Sequence, residues 1–510
     1  MHSMDVLFIS PGNSSGIYQE LSNTYASIEP PTWALLLAQS CRSFGYSVGI
    51  LDINAEKLSD EECLNRIIKS NPRLICFVVY GQNVNAGSVN MSGATKTSKF
   101  LKNNNINIPI SYVGSYIQAL PIKTLSDEPS IDFGFTNEAV YALRNILKLK
   151  DFSDLSKING IVWRKNGSIV INPPESIVPN DKMDSDLPGY AWDLLPYKEK
   201  PLDLYRSPLW HSEYDLNKRS PYAAIQTSIG CQFSCNFCMI NIVNRNDNDE
   251  IGVASKYSGM RYWSPEFIIK EFDKLYSMGV RTIKITDEMF LLNKKYYLPL
   301  CEMIRDRGYG KDLIMWAYSR IDTVRNPELL SIVKSAGIKW LALGIESADK
   351  IVRLEVSKGK FEDVDIKRVV DQVQNSGIEV MANYIFGLPG DTLESMRKTL
   401  DFSKELCTAG WNAYGAMALP GSQLYKDALN NNLELPKSYE GYSFHSYETL
   451  PLGNKNLSPT EVLKFRDMAC LEYHSNPDFL RKINDKFGKK AVENIKEMLE
   501  IKLKRKIYES

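Results

Sequence analysis

The chain has 510 residues, 44% of them hydrophobic, and its 61 Lys and Arg residues balance 61 Asp and Glu residues. This length predicts roughly two to four domains of ordinary globular composition. A neutral chain has no net field that would recruit nucleic acid or an anionic membrane, so we expect neither as a partner. The N-terminus lacks a signal-peptide pattern and no apolar run approaches the length of a membrane span, so we expect a cytoplasmic protein.

Residues 1–149 alternate between strand and helix patterns. The strands are predicted at 5–10, 47–54, 74–80 and 110–113, and the helices at 33–44, 59–70, 92–104 and 137–149. Such alternation predicts a doubly wound α/β sheet of the Rossmann or flavodoxin-like type, with its ligand at the carboxyl ends of the strands. Small and polar residues at those ends let a large ligand approach the backbone. They are Ser10, Gly81, Gln82, Gly114, Ser115 and Tyr116.

Residues 150–220 lose this periodicity. The segment 160–171 alternates around Asn166-Gly167, a preferred two-residue turn, and therefore predicts a β-hairpin. Prolines recur after the hairpin as far as Pro201. We predict an extended connector here.

Between residues 221 and 430, strand and helix patterns recur six times. The strands are predicted at 223–229, 282–287, 313–320, 340–347, 379–386 and 413–419. Six units are fewer than the eight of a closed barrel, so we predict a partial (β/α)6 barrel of the TIM type. In such barrels the functional residues lie at the carboxyl ends of the strands.

Three of the nine cysteines follow the first predicted barrel strand. Cys231, Cys235 and Cys238 have C-x-x-x-C-x-x-C spacing on a loop with small and polar neighbours. Thiolates select zinc or iron–sulfur clusters, and no fourth Cys or His lies nearby in the sequence to complete a structural zinc site. Three thiolates on a [4Fe–4S] cluster leave one iron open to a small molecule. A zinc site, or a loop of buried cysteines without a metal, is the alternative.

Polar side chains recur at the carboxyl ends of the other barrel strands. Because parallel strands end at the same edge of a barrel, we expect these side chains near the cysteine loop. They include Asp287, Ser319, Arg320, Glu346 and Asn383. The structural alternatives are an ion pair between Arg320 and Asp322 and a helix cap formed by Glu346.

Residues 431–510 predict a helical C-terminal domain. Ser458-Pro459-Thr460-Glu461 has the chemistry of a helix start, and a Lys-rich last helix is predicted at 489–506. The aromatic loop 442–447 carries His445. We expect this loop to reach over the open barrel mouth and to supply a substrate contact or an acid–base group, with a structural role as the alternative.

The cysteine loop, with Phe237 before its third cysteine, resembles the signature of the radical S-adenosylmethionine enzymes. The resemblance implies a [4Fe–4S] cluster on the three cysteines that binds S-adenosylmethionine and cleaves it to a 5′-deoxyadenosyl radical. It also implies an external one-electron reductant of the flavodoxin or ferredoxin type. The S-adenosylmethionine contacts implied in this way are Phe237, Asp287, Ser319, Arg320 and Glu346. The candidate substrate contacts are Lys358, Asn383 and His445.

Residues 1–149 resemble the cobalamin-binding half of the cobalamin-dependent members of that family. The resemblance rests on the stretch 29–35 with Pro30-Pro31, on 45–52 and on Val113-Gly114-Ser115. It implies a cobalamin site at Ser10, Pro31, Gly81, Gln82, Gly114, Ser115 and Tyr116. The D-x-H-x-x-G motif is missing, so no imidazole of this domain is expected on the lower face of the corrin. A flavodoxin-like domain with another cofactor or none is the alternative.

Together the resemblances imply a cobalamin-dependent radical S-adenosylmethionine enzyme. We expect a monomeric C-methyltransferase that acts on an unactivated carbon of a small molecule, such as a sugar or a specialised metabolite. Such a carbon offers no nucleophile, so a radical must first remove hydrogen. The alternatives are a non-methylating reaction (cyclisation, ring contraction or epimerisation), a non-catalytic cobalamin sensor, and a transfer-RNA methylthiotransferase whose second cluster would use Cys41, Cys63 and Cys76.

Overall fold

The computed structural model of the chain describes residues 2–81, 84–356 and 364–509. Gln82 and Lys358, two of the predicted binding residues, lie outside the described residues. In the described ranges, no helix combines the length and the apolar character needed to cross a membrane.

The described residues form two large sheets, one short strand pair and the helices that cover them. The strands are β1 Met4–Ser10, β2 Val48–Asp52, β3 Pro72–Val79, β4 Ile110–Gly114, β5 Phe133–Phe135, β6 Ile161–Lys165, β7 Ser168–Ile171, β8 Tyr222–Ile225, β9 Ser228–Cys231, β10 Gly259–Tyr262, β11 Thr282–Ile285, β12 Ile314–Arg320, β13 Ile338–Glu346, β14 Glu379–Phe386 and β15 Gly410–Gly415. The α-helices are α1 Ser14–Tyr18, α2 Leu21–Thr24, α3 Thr32–Ser43, α4 Ile53–Glu56, α5 Asp60–Ser70, α6 Gly87–Asn103, α7 Ser115–Ala119, α8 Pro121–Asp127, α9 Val140–Leu147, α10 Met183–Asp186, α11 Pro265–Ser277, α12 Lys294–Asp306, α13 Pro327–Ser335, α14 Lys350–Val356, α15 Ile366–Asn375, α16 Leu393–Leu406, α17 Gln423–Asn430, α18 Pro459–His474, α19 Pro477–Phe487 and α20 Lys489–Glu500. Short 3-10 helices lie at Val84–Ala86, Asn180–Lys182, Trp192–Leu194, Ile240–Asn244, Ala254–Lys256, Tyr309–Lys311, Ile321–Thr323, Tyr439–Tyr442 and Lys506–Tyr508.

The front domain is built on a sheet whose described strands have the order β2-β1-β3-β4-β5-β6-β7. Strands β1 to β5 pair in parallel, and helices connect them. The central strand β3 is almost completely buried, as its continuous apolar sequence requires. The predicted α/β fold of the front domain is confirmed.

The hairpin predicted at 160–171 forms from β6 and β7. Its turn residues Asn166 and Gly167 have positive φ values of 50° and 83°, as a primed two-residue turn demands. Strand β6 pairs antiparallel with β5, so the hairpin continues the front sheet. The sheet therefore runs past residue 150, where the connector was predicted to begin.

The second large sheet is a partial barrel. Its described strands have the order β15-β14-β13-β12-β11-β8, and every pair is parallel. The amphipathic helices α11, α12, α13, α15 and α16 connect these strands. The predicted partial (β/α)6 barrel is confirmed, and its sixth strand lies slightly earlier in the sequence than the predicted 413–419.

The first barrel strand is shorter than predicted. The sequence predicts one strand over 223–229, but the strand ends at Ile225 and a separate short strand, β9, begins at Ser228. The side chain of Asp287 causes the break, because it accepts hydrogen bonds from the backbone N–H of Thr227 at 2.6 Å and from the hydroxyls of Thr227 and Ser228 at 2.6 Å each. The chain therefore leaves the barrel wall before it reaches the cysteines, and β9 pairs with β10 instead.

The two halves of the barrel interior are filled differently. Near the amino ends of the strands, the rings of Trp316 and Trp340 stack with centroids 6.4 Å apart, and both residues are buried. Toward the carboxyl ends, Tyr318, Asn383 and Tyr414 are only partly buried, although the residues that alternate with them are buried against the helices. The carboxyl half of the barrel is therefore hollow.

A buried ion pair joins the front domain to the barrel. Lys284 Nζ on β11 lies 2.9 Å from Glu29 Oε1, and the two side chains are 4% and 6% exposed. The Tyr222 hydroxyl on β8 donates to the same carboxylate oxygen at 3.4 Å. The loop before Pro30 thus inserts a carboxylate against the inner face of the barrel wall.

The C-terminal helices cover the open edge of the barrel. Arg466 on α18 donates from Nε to the carbonyl oxygen of Ala413 at 2.9 Å, which occupies a backbone group of edge strand β15. The last helix was predicted at 489–506, but α20 ends at Glu500. The reason is Arg505, which is buried and pairs with Asp467 at 2.8 Å, so the chain must turn inward before it.

The Glu29–Lys284 pair gives a first prediction. Glu29→Gln should destabilise the protein by about 3–5 kcal/mol, because it leaves the Lys284 ammonium buried without a counter-charge. Urea unfolding followed by tryptophan fluorescence measures the change. Asp193→Asn is the control, since it breaks an ion pair with Arg42 whose side chains are 64% and 36% exposed, and should cost at most about 1 kcal/mol. Equal losses in the two variants would contradict the prediction.

A second prediction concerns Asp52, which caps α4 by accepting from the Ala55 N–H and accepts a hydrogen bond from the Tyr205 hydroxyl at 3.0 Å. Burial raises the pKa of Asp52 to about 6. The folded state then holds this proton more tightly than the unfolded state, so Asp52 removes stability as the pH rises from about 4 to 6. Asp52→Asn should therefore gain up to about 3 kcal/mol relative to the parent between pH 4 and pH 7 in urea titrations. A stability difference that does not change with pH would refute it.

Candidate functional site

The cysteine loop begins where β9 ends, beside the mouth of the barrel. Gly230 has φ of 85°, and a Cβ there would collide with the carbonyl oxygen of Gly259 on β10, so only glycine fits this close pairing. Cys231 is buried, whereas Cys235 and Cys238 are partly exposed. The structure therefore presents three unpaired thiols on one short loop, as predicted.

The side chain of Asn241 holds this loop in shape. Its Oδ1 accepts from the backbone N–H of Cys231 at 2.7 Å, and its Nδ2 donates to the carbonyl oxygen of Phe233 at 3.0 Å. Asn241 is 2% exposed, so no water replaces these bonds. The sequence analysis missed this residue, and its position three residues after Cys238 gives no signal of its role.

The donor set fits a cluster better than a single ion. Burial raises the pKa of Cys231 to about 12 and raises that of Cys238 as well. Such thiols need a metal centre to hold them as thiolates. In the described part of the chain, no group of three or more His, Cys, Asp or Glu side chains could hold one metal ion. A [4Fe–4S] cluster binds each thiolate to a different iron, so the three sulfurs need not converge on one point.

Two adjacent carboxylates after β11 have different surroundings. Asp287 is 2% exposed, and its hydrogen bonds to Thr227 and Ser228 give it a positioning role behind the cysteine loop. Its predicted contact with S-adenosylmethionine stays a prediction. Glu288 was not selected from the sequence, yet it lies close enough to Cys231 and Cys238 to raise the pKa of both thiols. Burial raises the pKa of Glu288 itself to about 7.

Arg320 lies beside the cysteine loop, as predicted. Its guanidinium stacks over the ring of Phe233 with a distance of 4.0 Å to the centroid, and its Nε donates to Asp322 at 3.0 Å. The predicted structural ion pair and the predicted site position therefore coexist. Ser319 is buried and shares a hydrogen bond of 2.6 Å with Thr323, so its role in binding stays a prediction.

Glu346 ends β13 in a strained conformation. Its φ is 61°, and the register of β13 against β14 shifts between Gly344 and Glu346. A β-bulge with a non-glycine residue at positive φ costs free energy and re-aims a side chain, which is typical of functional sites. Burial raises the pKa of Glu346 to about 7, against the opposing effect of the Arg320 and Arg353 guanidinium groups. The carboxylate is therefore readily protonated near neutral pH.

Phe237 packs into a small apolar cluster at the barrel mouth. The cluster consists of Val352, Val356, Ile385, Leu388 and Ala416. Ile385 and Ala416 come from the carboxyl ends of β14 and β15. An apolar surface thus lies directly beside the cysteine loop and can accept a planar ring.

The hollow half of the barrel lies below this mouth and is polar. Asn383 is partly buried there, and its Oδ1 accepts from Asn412 Nδ2 at 3.2 Å. Tyr318 and Tyr414 line the same space. The Nε1 of Trp316 is buried without a hydrogen-bond partner in the described residues. This interior therefore offers several polar groups to a small molecule.

His445 lies between the front domain and the tail. Its ring packs on Tyr18 with centroids 5.5 Å apart, and its Nε2 is 3.4 Å from a guanidinium nitrogen of Arg466. Burial lowers the pKa of His445 to about 3, and two arginines reinforce this effect. The imidazole is therefore neutral at pH 7 and lacks the proton of a cationic acid. The neighbouring Phe444 contacts Tyr414 of β15 with centroids 4.8 Å apart, so the loop does reach the barrel.

The predicted front-domain residues fall into two groups. Ser10, Pro31 and Gly81 line one cavity of about 90 Å³ at the carboxyl ends of β1 and β3. Gly114, Ser115 and Tyr116 lie at the end of β4, and Tyr116 packs on Tyr439 of the tail.

Two buried hydroxyls lie at the second of these places. The Oγ atoms of Ser88 and Ser115 are buried without a hydrogen-bond partner in the described ranges. Unpaired buried hydroxyls cost free energy, so they indicate a missing ligand at this edge of the sheet. The residues present therefore fit a cofactor at the strand ends.

Comparison with known proteins agrees with this geometry. Residues 225–403 match the model of the Radical SAM superfamily. An uncharacterized methyltransferase of Pyrococcus horikoshii is 26% identical over 94% of this chain and 95% of its own length. An anaerobic magnesium-protoporphyrin IX monomethyl ester cyclase of Rubrivivax gelatinosus is 23% identical over 86% of this chain and 72% of its own length.

One solved structure has the same fold over nearly the whole chain. It is the radical S-adenosylmethionine methyltransferase TsrM from Kitasatospora setae with cobalamin and a [4Fe–4S] cluster bound. The TM-score is 0.65 at 16% sequence identity, covering 94% of this chain and 90% of that chain. The combination of front domain, barrel and tail is thus a fold already seen in a solved structure.

The role of Asn241 can be tested. Asn241→Leu removes both hydrogen bonds that hold the cysteine loop and should weaken iron binding about 10-fold or more. Iron and sulfide assays after anaerobic reconstitution measure the loss. Asn248→Leu, on an exposed position of the same segment, is the control and should bind as much iron as the parent. Full iron in Asn241→Leu would show that the loop does not need this residue.

Proposed function

We propose that this chain, which belongs to the cobalamin-dependent radical S-adenosylmethionine enzyme family, is a C-methyltransferase that acts on an unactivated carbon of a small molecule. The observation that carries the proposal is the three-cysteine loop between the mouth of a hollow half-barrel and the front domain. A methyltransferase relative and a methyltransferase of the same fold support methyl transfer.

The residues at the barrel mouth suit the cluster and S-adenosylmethionine. Cys231, Cys235 and Cys238 would hold the cluster, whose fourth iron stays open to the amino acid end of the cofactor. The apolar cluster around Phe237 would accept the adenine ring. The Arg320 fork, already oriented by Asp322, would bind the carboxylate.

Glu346 would bind the ribose hydroxyls. Its bulge aims the carboxylate into the mouth, and its place next to Arg320 keeps it near the cofactor. A carboxylate accepts hydrogen bonds from two hydroxyls at once, which suits a ribose.

The front domain would hold cobalamin at the carboxyl ends of its strands. The cavity lined by Ser10, Pro31 and Gly81 and the unpaired hydroxyl of Ser115 support this place. A histidine on the lower face is not expected, because His2 is the front domain's only histidine.

The substrate would occupy the hollow half of the barrel. Asn383 and Asn412 offer amide groups there, and the tyrosines offer hydroxyls and ring faces. The space is enclosed by the barrel wall and by the inserted Glu29 loop, which suits a small molecule rather than a polymer.

The chemistry comes from the cofactors and the placement from the chain. When bound, the cluster with S-adenosylmethionine supplies radical chemistry, and cobalamin supplies the methyl group. The protein's part is to hold the reacting carbon between the two sites and to keep water away. An external one-electron reductant, a monomeric state and a cytoplasmic location stay predictions.

A non-methylating reaction is the second candidate, because a cyclase aligns with 86% of this chain. The methylthiotransferase alternative is weaker. Cys41, Cys63 and Cys76, which it would need for a second cluster, are each at most 1% exposed in the front-domain core.

Isotope labelling separates the two candidates. The reconstituted enzyme is incubated anaerobically with cobalamin, a reductant, trideuteromethyl-labelled S-adenosylmethionine and a small-molecule extract. We expect a product whose mass increases by one labelled methyl group. A product that forms without the label would favour the cyclase-type reaction.

The cysteine variants provide the control. Cys231→Ala, Cys235→Ala and Cys238→Ala should each lose the cluster absorption and all cleavage of S-adenosylmethionine. Full iron and full activity in any of the three would overturn the assignment of the site.

A further inference from the structure

A front-domain side chain reaches the cysteine loop. Asn85 lies on the short 3-10 helix Val84–Ala86, between the end of β3 and α6. Its amide is next to Cys238, which follows 153 residues later in the sequence. Neither the spacing of the cysteines nor the strand-end pattern points to this residue.

The orientation of the Asn85 amide is fixed by the backbone. Its Oδ1 accepts the N–H of Met239 at 3.0 Å. Only a carbonyl oxygen can accept this N–H, so the amide nitrogen is the atom left for the sulfur. Nδ2 lies 3.8 Å from the Cys238 Sγ, within the range of a hydrogen bond to sulfur.

Cluster binding makes this contact one-directional. A cluster-bound Cys238 is a thiolate without a proton, so it can only accept from Asn85. Hydrogen bonds to the sulfurs are among the factors that set the potential of an iron–sulfur cluster. A donor stabilises the more negative, reduced state and therefore raises the reduction potential.

We propose that Asn85 is a positioning residue that tunes the cluster potential from the front domain and makes it respond to cofactor binding there. The second part rests on the proposed function. Gly87 and Ser88 follow Asn85 directly, and Gly87 packs so closely on Ser115 that a Cβ would collide with its hydroxyl. A ligand that pairs with the free hydroxyls of Ser88 and Ser115 therefore acts on the same segment that holds Asn85.

Two variants of Asn85 test the hydrogen bond. Asn85→Asp keeps the acceptor for Met239 and loses the donor, whereas Asn85→Leu loses both without adding charge. Asn103→Asp, exposed at the end of α6, is the charge control. The reconstituted full-length proteins are titrated with dithionite and followed by electron paramagnetic resonance, and their iron is counted.

We expect both Asn85 variants to bind iron and to hold about 10-fold fewer reduced clusters per oxidised cluster at a fixed potential, which is a fall of about 59 mV for one electron. Asn103→Asp should match the parent. An unchanged potential in Asn85→Leu overturns the proposal, even if Asn85→Asp shifts, because charge alone then explains the shift. Loss of iron from Asn85→Asp also overturns it, since the residue would then be only a structural clamp.

The coupling is tested by repeating the titration with hydroxocobalamin. Binding is read separately from the cobalamin absorption that stays with the protein after gel filtration. We expect the potential of the parent to move on binding and that of Asn85→Leu to stay constant. Bound cobalamin without any movement in the parent refutes the coupling and leaves the proposed function intact. Absence of bound cobalamin refutes the cobalamin part of the proposed function and the coupling, whereas the hydrogen-bond test above keeps its own result.

Discussion

The buried carboxylate of Asp287 is the interaction on which the site depends. It accepts the N–H and hydroxyl of Thr227 and the hydroxyl of Ser228, and so ends the first barrel strand before the cysteines. Without this break the strand would continue along the barrel wall and the thiols would alternate between its two faces. With the break, the loop turns across the barrel mouth, where Asn241 then fixes its shape.

The front domain and the barrel meet through polar contacts that require a defined geometry. The Glu29–Lys284 pair is almost completely buried, and such a pair is stable only when both charges face each other closely. Asn85 makes a second contact at the cysteine loop. Hydrogen bonds and ion pairs are directional, so these contacts orient the two parts more strictly than apolar packing would. This orientation is what a reaction shared between two cofactor sites needs.

The barrel interior divides structure from function along its own length. The stacked rings of Trp316 and Trp340 fill the amino half and stabilise it by apolar burial. The carboxyl half gives up that burial and keeps polar groups such as Asn383 partly exposed. The strained bulge at Glu346 lies at the same end. Free energy gained in the lower half thus offsets a hollow and strained upper half, as active sites commonly require.

The sequence by itself determined the α/β fold, the partial barrel and the cysteine loop, because these depend on periodicity and on spacing within a few residues. Strand ends also located Arg320 and Glu346 near that loop, since parallel strands end at one edge. Only the tertiary structure decided which side chains support the site. Asp287 faces the strand break, and Asn85 reaches Cys238 across 153 positions of sequence. Such contacts follow from how distant segments pack, and no local pattern records them.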